Sequence, residues 1–290
     1  MGDHRRHKAA EALERAIAID PTDSNLYGQL ARTLRDLGDT EAQLATLDRG
    51  IDVAADPSDL LVDRSNYFIG TGDFESALSD MSTLVQGDPS WSNYVARASI
   101  LVDLGRLTEA EADFNAAVRI FPDEAFAYQS RARFRADQDR IAAALDDIEA
   151  AISLEPDGAE FHETRAEINI QLGDLNAAIA DQSLVISLRG SPFDIARRGY
   201  LHELNGNLDF ALVDYTAALG LDEYLWARHR RAVELIELGH YEEAVDDLTV
   251  ALAIQQEAWT FEMRARAYEL LGRSVEAESD RRSADSLEDQ

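Results

Sequence analysis

Residues 101–122 read LVDLGRLTEAEADFNAAVRIFP, and residues 235–252 read LIELGHYEEAVDDLTVAL. Each has apolar residues at spacings of three and four on both sides of a central glycine, Gly105 or Gly239. That is two amphipathic helices broken by one turn. Glycine at the break suits a left-handed helix cap. The same surroundings recur at Gly38, Gly72, Gly173, Gly206 and Gly272, mostly 33 or 34 residues apart, with Asp139 standing in at the one missing position. A fixed period of this length dictates a repeat architecture.

With each turn residue as origin, the pattern sharpens. Seven residues earlier stands a small residue in all eight copies: Ala31, Ser65, Ala98, Ala132, Ala166, Gly199, Ala232 and Ala265. Five residues later stands alanine in seven: Ala77, Ala110, Ala144, Ala178, Ala211, Ala244 and Ala277. Small residues at both places let the two helices of a copy approach closely. Proline, where present, marks the end of the second helix.

These features resemble the tetratricopeptide repeat family, over nearly the whole chain. The resemblance implies an all-α fold, a right-handed α-solenoid (superhelix) of antiparallel helix pairs whose first helices line a concave groove. That groove usually grips a peptide or a helix of a partner protein. The copies are set at 24–57, 58–90, 91–124, 125–158, 159–191, 192–224, 225–257 and 258–290, one array over 1–290, with a lone second-type helix at 8–20. The final helix carries Arg281 and Asp285 where other copies are mostly apolar, as a solenoid end requires. The lone helix has Ala9, Leu13, Ala16 and Ile17 but no first helix beside it. Self-association through this helix is one expectation; a start trimmed from a longer chain is the other.

Composition narrows the function. Hydrophobic residues at 46% and charged residues at 29% suit a folded chain, not a disordered one. With no cysteine, disulfides, thiolate metal sites and cysteine nucleophiles are excluded. No apolar run approaches the roughly 20 residues of a membrane helix, and MGDHRRHKAAEALERAIAID reads as an amphipathic helix, not a signal peptide. A net charge of −29 repels phosphate backbones, so nucleic acid is an unexpected partner. No histidine pair at helical spacing has a third ligand nearby, so neither a metal nor a cofactor is expected. GTGDF at Gly70 lacks the rest of a dinucleotide fingerprint. No nucleophile or acid–base constellation stands out, and an enzyme is not expected. The expected compartment is the cytoplasm.

The charges fall into two sets. Eight residues before the turn, arginine occurs in seven copies, and eight after it aspartate occurs in the same seven. They include Arg97 with Asp113, Arg131 with Asp147, Arg165 with Asp181, Arg198 with Asp214 and Arg231 with Asp247. Joint presence predicts structural ion pairs, across one hairpin or between neighbours. The guanidinium fork suits a partly buried carboxylate. An arginine track for a polyanion is the competing idea, but the recurring aspartates account for the charges.

The remaining candidates lie on the inner face of the first helices. They are Arg133; Glu163 and Glu167; Phe193, Arg197 and Tyr200; and Trp226, His229 and Arg230. The expectation is an acidic stretch in the fifth copy followed by an aromatic and cationic stretch in the sixth and seventh. There Arg197 and Arg230 hold a partner's carboxylate while Trp226 and Tyr200 stack on apolar groups. The competing reading has Phe193, Trp226 and Trp259 packing against the preceding turns. Arg228 falls between the helices. The family's chaperone-binding members resemble one another in a lysine and asparagine clamp; here the one lysine, Lys8, lies outside every copy, and the clamp is absent. The sequence therefore points to a non-catalytic scaffold binding a partner protein or peptide. A regulatory or targeting region of a longer enzyme or sensor is the alternative, and a self-assembling structural protein the third.

Overall fold

The turn residues of the repeat are where helices end. In the computed structural model, which describes residues 2–288, Gly72 and Gly173 cap their helices at φ 80° and 84°, in the left-handed region where a side chain is strained. Asp139 takes the same conformation at φ 57°, the one non-glycine to do so among the described residues. The residue after the turn donates its N–H back across the last helical turn, as Asp39 does to Leu34 at 3.0 Å and Arg106 to Leu101 at 2.8 Å. Where that residue is aspartate it also starts the next helix. Asp39, Asp73 and Asp174 accept from the N–H groups of Ala42, Ser76 and Ala177.

Seventeen helices result among the described residues: eight antiparallel pairs and a lone first helix, an all-α solenoid of helix hairpins. The chain divides into two compact units, Met1–Arg131 and Ala132–Gln290, with the division inside α8.

The first unit holds α1 (Gly2–Ile19), α2 (Ser24–Asp36), α3 (Thr40–Val53), α4 (Ser58–Thr71), α5 (Phe74–Gly87), α6 (Trp91–Asp103), α7 (Leu107–Ile120) and the start of α8 (Ala125–Asp137). Ile17 of α1 is buried with Tyr27, Leu30, Leu47 and Leu60, so the lone helix covers the first pair. Its last residue, Ile19, is 87% exposed. Gly50 sits where a Cβ would stand 2.7 Å from both Leu60 and the Tyr27 ring, so no larger residue fits without repacking.

The second unit continues α8 and adds α9 (Ile141–Leu154), α10 (Ala159–Leu172), α11 (Leu175–Leu188), α12 (Pro192–Leu204), α13 (Leu208–Leu221), α14 (Leu225–Glu237), α15 (Tyr241–Ile254), α16 (Ala258–Leu270) and α17 (Ser274–Glu288). The seam between paired helices is built from the recurring small residues. Ala166, Ala178, Ala211, Ala232 and Ala244 are all fully or almost fully buried. At Gly199 a Cβ would stand 3.0 Å from the Tyr215 ring, which occupies the space a side chain would need. On α17, Arg281 and Asp285 are exposed, and Arg281 reaches Glu269.

The recurring arginines and aspartates meet across the hairpin in the second, third, fifth, sixth, seventh and eighth copies. Arg97 donates Nε and Nη2 to Asp113 at 2.7 Å each, and Arg198 does the same to Asp214 at 2.8 and 2.7 Å. Arg165 with Asp181, Arg231 with Asp247, Arg64 with Asp80 and Arg264 with Asp280 repeat this fork. The aspartates are buried and the arginines half-buried. In the fourth copy Arg131 donates to Asn115 at 3.0 Å, and Asp147 accepts from Arg135 at 2.7 Å, alongside their other contacts. The first copy has Leu30 and Thr46 in place of the pair. Leu30 is buried, and Thr46 turns its hydroxyl to the Ala42 carbonyl at 2.7 Å.

Candidate functional site

All the inner-face candidates belong to the second unit, on α8, α10, α12 and α14. They sit on first helices because a residue 13, 10, 9, 6 or 3 places before the turn returns to one face of the helix. Three aromatic side chains on this face stay open to solvent. Phe193 is 52% exposed, Trp226 38% and Trp259 42%. Each lies in the first turn or two of its helix.

Trp226 is the centre of an aromatic cluster. It meets Tyr200 edge-on at 5.8 Å and Tyr215 edge-on at 6.1 Å, with Tyr224 tilted against it at 5.8 Å. Phe193 lies 6.2 Å from Tyr224. Edge-to-face contacts of this kind hold rings rigidly at little entropic cost. His229 is placed apart from that cluster. Its ring meets Trp259 edge-on at 5.0 Å, and its Nε2 is 3.2 Å from Thr260 Oγ1. Burial pushes the His229 pKa down, with Glu257 partly opposing the shift, so its neutral form is favoured.

The structure differs from the sequence expectation in the charges. The acidic and cationic stretches are not separate segments, because each neutralises the other. Arg197 donates Nη1 to Glu163 at 3.2 Å and Nη2 to Glu167 at 3.1 Å. Glu163 also meets Arg189 at 2.9 Å, and Arg189 forks onto the buried Asp194. Arg230 pairs with Glu203, donating Nε at 3.0 Å, and its guanidinium lies over the Tyr200 ring at 5.4 Å. Arg133 donates to Thr164 Oγ1 at 3.1 Å and lies 4.0 Å from Glu167; these three residues also line a cavity of about 250 Å³. Arg197 and Arg230 are thus already engaged by carboxylates on the preceding first helix. The reason is geometric: successive first helices lie side by side, and their long side chains reach one another. Arg228 is also committed, to Glu223 and to the Asp247 it shares with Arg231.

Two residues that shape this face, Tyr215 and Glu234, were not among the site candidates. Tyr215 is fully buried, and its hydroxyl donates to Glu203 at 2.9 Å. Glu234 is only 3% exposed, and burial raises its pKa with Arg230 partly offsetting. A signal for Glu234 existed. It stands five residues before the turn, where the third to sixth copies carry Ile100, Phe134, Ile168 and Leu201, all buried. Among the described residues no three histidine, aspartate or glutamate side chains are grouped as a metal ion would need. No helix among them is long and apolar enough to cross a membrane.

Profiles described as tetratricopeptide repeat match residues 12–45, and residues 62–125 and 131–194, together more than half of the chain. A curated relative, Protein FlbA of Caulobacter vibrioides, is 28% identical over 127 residues. The match takes in 41% of this chain but spans only 21% of that relative's length. Among solved structures, a tetratricopeptide repeat protein from Parabacteroides merdae is similar with a TM-score of 0.56 and 20% identity, over 75% of this chain and 87% of that one. A monomeric IFIT1 mutant solved with Gppp-AAAA is similar with a TM-score of 0.57 and 14% identity, over 97% of this chain and 67% of that one. Repeat period, left-handed turns, small-residue seams and profile matches agree: the chain belongs to the tetratricopeptide repeat family.

Proposed function

We propose that this protein is a non-catalytic scaffold that holds a segment of a partner protein against the first helices α12, α14 and α16 of its second unit. The observation carrying the reading is the exposure of Phe193, Trp226 and Trp259 together on that face. Aromatic side chains left open and held rigid by their neighbours are what binding hot spots are made of. The ion pairs refine the chemistry of the partner. Arg197 and Arg230 are neutralised by Glu163, Glu167 and Glu203, so a partner carboxylate would have to displace an internal one. Apolar or aromatic partner side chains, docking on the rings with polar groups along the arginine and glutamate rim, fit better than simple capture of a chain-end carboxylate.

The test is affinity capture from native lysate with the wild type and with Trp226→Ser, Trp259→Ser and Arg230→Glu, followed by a binding titration with the purified partner. The expected result is loss of about tenfold or more in affinity for each tryptophan variant, and a smaller loss for Arg230→Glu. A partner indifferent to both tryptophan variants would place the interface elsewhere.

A second reading is a regulatory or targeting region of a longer enzyme or sensor. It draws support from the relative of which the matched stretch is a small part. Under that reading the same face recruits a substrate or signal peptide, and the intact gene product carries an activity that Trp226→Ser uncouples from recruitment.

A further inference from the structure

Helix α13 departs from the other second helices on its solvent side. Four and seven residues after the turn it has Phe210 and Val213, where the other seven copies have only alanine, serine, glutamate or aspartate. Phe210 is 62% exposed, Val213 64% and Leu221, further along the same helix, 63%. With Ala217 between them they make one stripe at spacings of three, four and four, the seam spacing of packed helices. The stripe is about 17 Å long, three turns of helix at 1.5 Å per residue. Between Asp209 and Asp222 the helix has a single charged residue, Asp214, and that one is buried and forked by Arg198. The Phe210 ring stacks on His202 at 5.3 Å. Bulky apolar side chains that pack against little of their own chain, at places the repeat fills with small or acidic residues, mark an interaction surface.

The free charges bordering the stripe are of one sign. Asp209 and Asp222 stand at its two ends, and Glu243 and Asp246 of α15 line a cavity of about 340 Å³ together with Leu212 and Thr216 of α13. The carboxylates of Asp209, Asp222 and Asp246 have no hydrogen-bond or ion-pair partner among the described residues. Glu243 has His240 Nδ1 at 3.1 Å. The guanidiniums within reach are already held: Arg198 by Asp214, Arg231 by Asp247, and Arg228 by Glu223 and Asp247. The cavity itself is lined by one guanidinium, Arg231, and three carboxylates, Glu243, Asp246 and Asp247, a net charge of −2. Burial pushes the His202 pKa down, with Asp214 partly opposing, so the ring under Phe210 adds no positive charge. The preceding second helix, α11, shows no exposed charge from Leu175 to Leu188, its Asp181 being buried with Arg165, and Arg189 just beyond it is held by Glu163 and Asp194.

We propose that the exposed side of α13 docks a basic amphipathic α-helix of a partner protein. The apolar stripe of that helix packs along Phe210, Val213, Ala217 and Leu221, and the small Ala217 leaves room for a bulky partner side chain. Its lysines or arginines meet Asp209 and Asp222 at the two ends and reach Glu243 and Asp246 in the neighbouring cavity. Charge complementarity selects this occupant. A second copy of the chain fits worse, because the two-fold antiparallel contact that sets Phe210 against Leu221 also sets Asp209 against Asp222. An anionic membrane surface is repelled by the same carboxylates. The surface lies on a second helix and is independent of the aromatic face on α12, α14 and α16.

Fluorescence anisotropy of a labelled helical peptide, titrated with the full chain, tests the assignment. The probe is a peptide of about 18 residues with leucine at heptad positions a and d and lysine or alanine elsewhere. Saturable binding with Kd of about 10 μM or tighter is expected at about 0.15 M salt. The same peptide with glutamate for lysine, and one with its leucines moved off the stripe, are each expected to bind at least about tenfold more weakly. Phe210→Ser and Val213→Ser are expected to weaken the probe by about fivefold or more. Both side chains are exposed, so the fold is retained. Asp246→Asn is expected to weaken it about twofold and to lessen its salt dependence, and Trp226→Ser to leave it unchanged. Absence of saturable binding up to about 200 μM overturns the proposal, as does an affinity that Phe210→Ser and Val213→Ser leave unaltered. Equal affinity for the peptide with displaced leucines also overturns it, because that is general attraction to an acidic chain. A wild-type dimer in light scattering that Phe210→Ser converts to monomer gives the stripe to a second copy and overturns it as well.

Discussion

Arg230 and Glu203 form an ion pair between two first helices, and the pair is locked from below. Glu203 Oε2 accepts Arg230 Nε at 3.0 Å and the hydroxyl of the buried Tyr215 at 2.9 Å. The guanidinium in turn lies over the Tyr200 ring at 5.4 Å. A charge that looks available in sequence is here held by a carboxylate, a phenol and a ring face. A double-mutant cycle with Arg230→Gln and Glu203→Gln, read by chemical denaturation, is expected to give a coupling of about 1 kcal/mol, the upper range for partly exposed pairs. Additive single effects would show the pair to be incidental.

The hairpin pairs carry a larger load. Arg165→Ala leaves Asp181 buried, with Asn169 Nδ2 at 3.2 Å as its hydrogen-bond donor. The expected loss is about 2–4 kcal/mol, since an uncompensated buried carboxylate remains. Thermal unfolding measures it. An unchanged melting temperature would mean that the pair is not structural.

Glu234 is the reverse case, a carboxyl in a position that other copies fill with apolar side chains. Glu234→Leu, copying Leu201 of the preceding copy, is expected to stabilise the protein by about 1–2 kcal/mol at neutral pH. The pH dependence has a definite sign. Burial raises the folded-state pKa of Glu234, so the folded chain binds its proton more tightly than the unfolded chain. Its ionisation penalty is present above the folded pKa and is relieved as pH falls toward the ordinary carboxylate value. The advantage of Glu234→Gln over the wild type is therefore largest at neutral pH and shrinks on acidification. An advantage that is constant across that range would place the carboxyl in water.

Asp139 takes the left-handed turn that glycine fills in the other copies, at φ 57°. Asp139→Gly relieves that strain, while the greater freedom of glycine in the unfolded chain offsets part of the gain. A net stabilisation of about 0.5 kcal/mol is expected from denaturant midpoints. Destabilisation by the same amount would mean that the aspartate side chain supports the turn.

Much of the fold was legible because its determinants are short-range. A left-handed turn, an aspartate that caps the next helix and a small residue where two helices touch each act within one hairpin. The period repeats that arrangement eight times. The arginine and aspartate that meet across six of the hairpins, sixteen residues apart, were legible for the same reason. The candidate face was legible only in part. Helical phase named Trp226, Tyr200, Arg197 and Arg230, but not what occupies them.

The sequence alone determined the helix pairs, their turns and the close seams, since these follow from local sterics and helical periodicity. Only the tertiary structure decided which charges are free. Arg197 meets Glu163 and Glu167, and Arg230 meets Glu203, because successive first helices lie side by side; the residues involved are 27 to 34 positions apart. A pattern defined within one repeat does not contain that distance. The same stacking leaves Trp226 and Trp259 exposed and Glu234 buried. It also leaves the Gln43 side chain lining a cavity rather than a closed seam. Long side chains can reach any of several neighbours, and the packing of one repeat on the next selects among them.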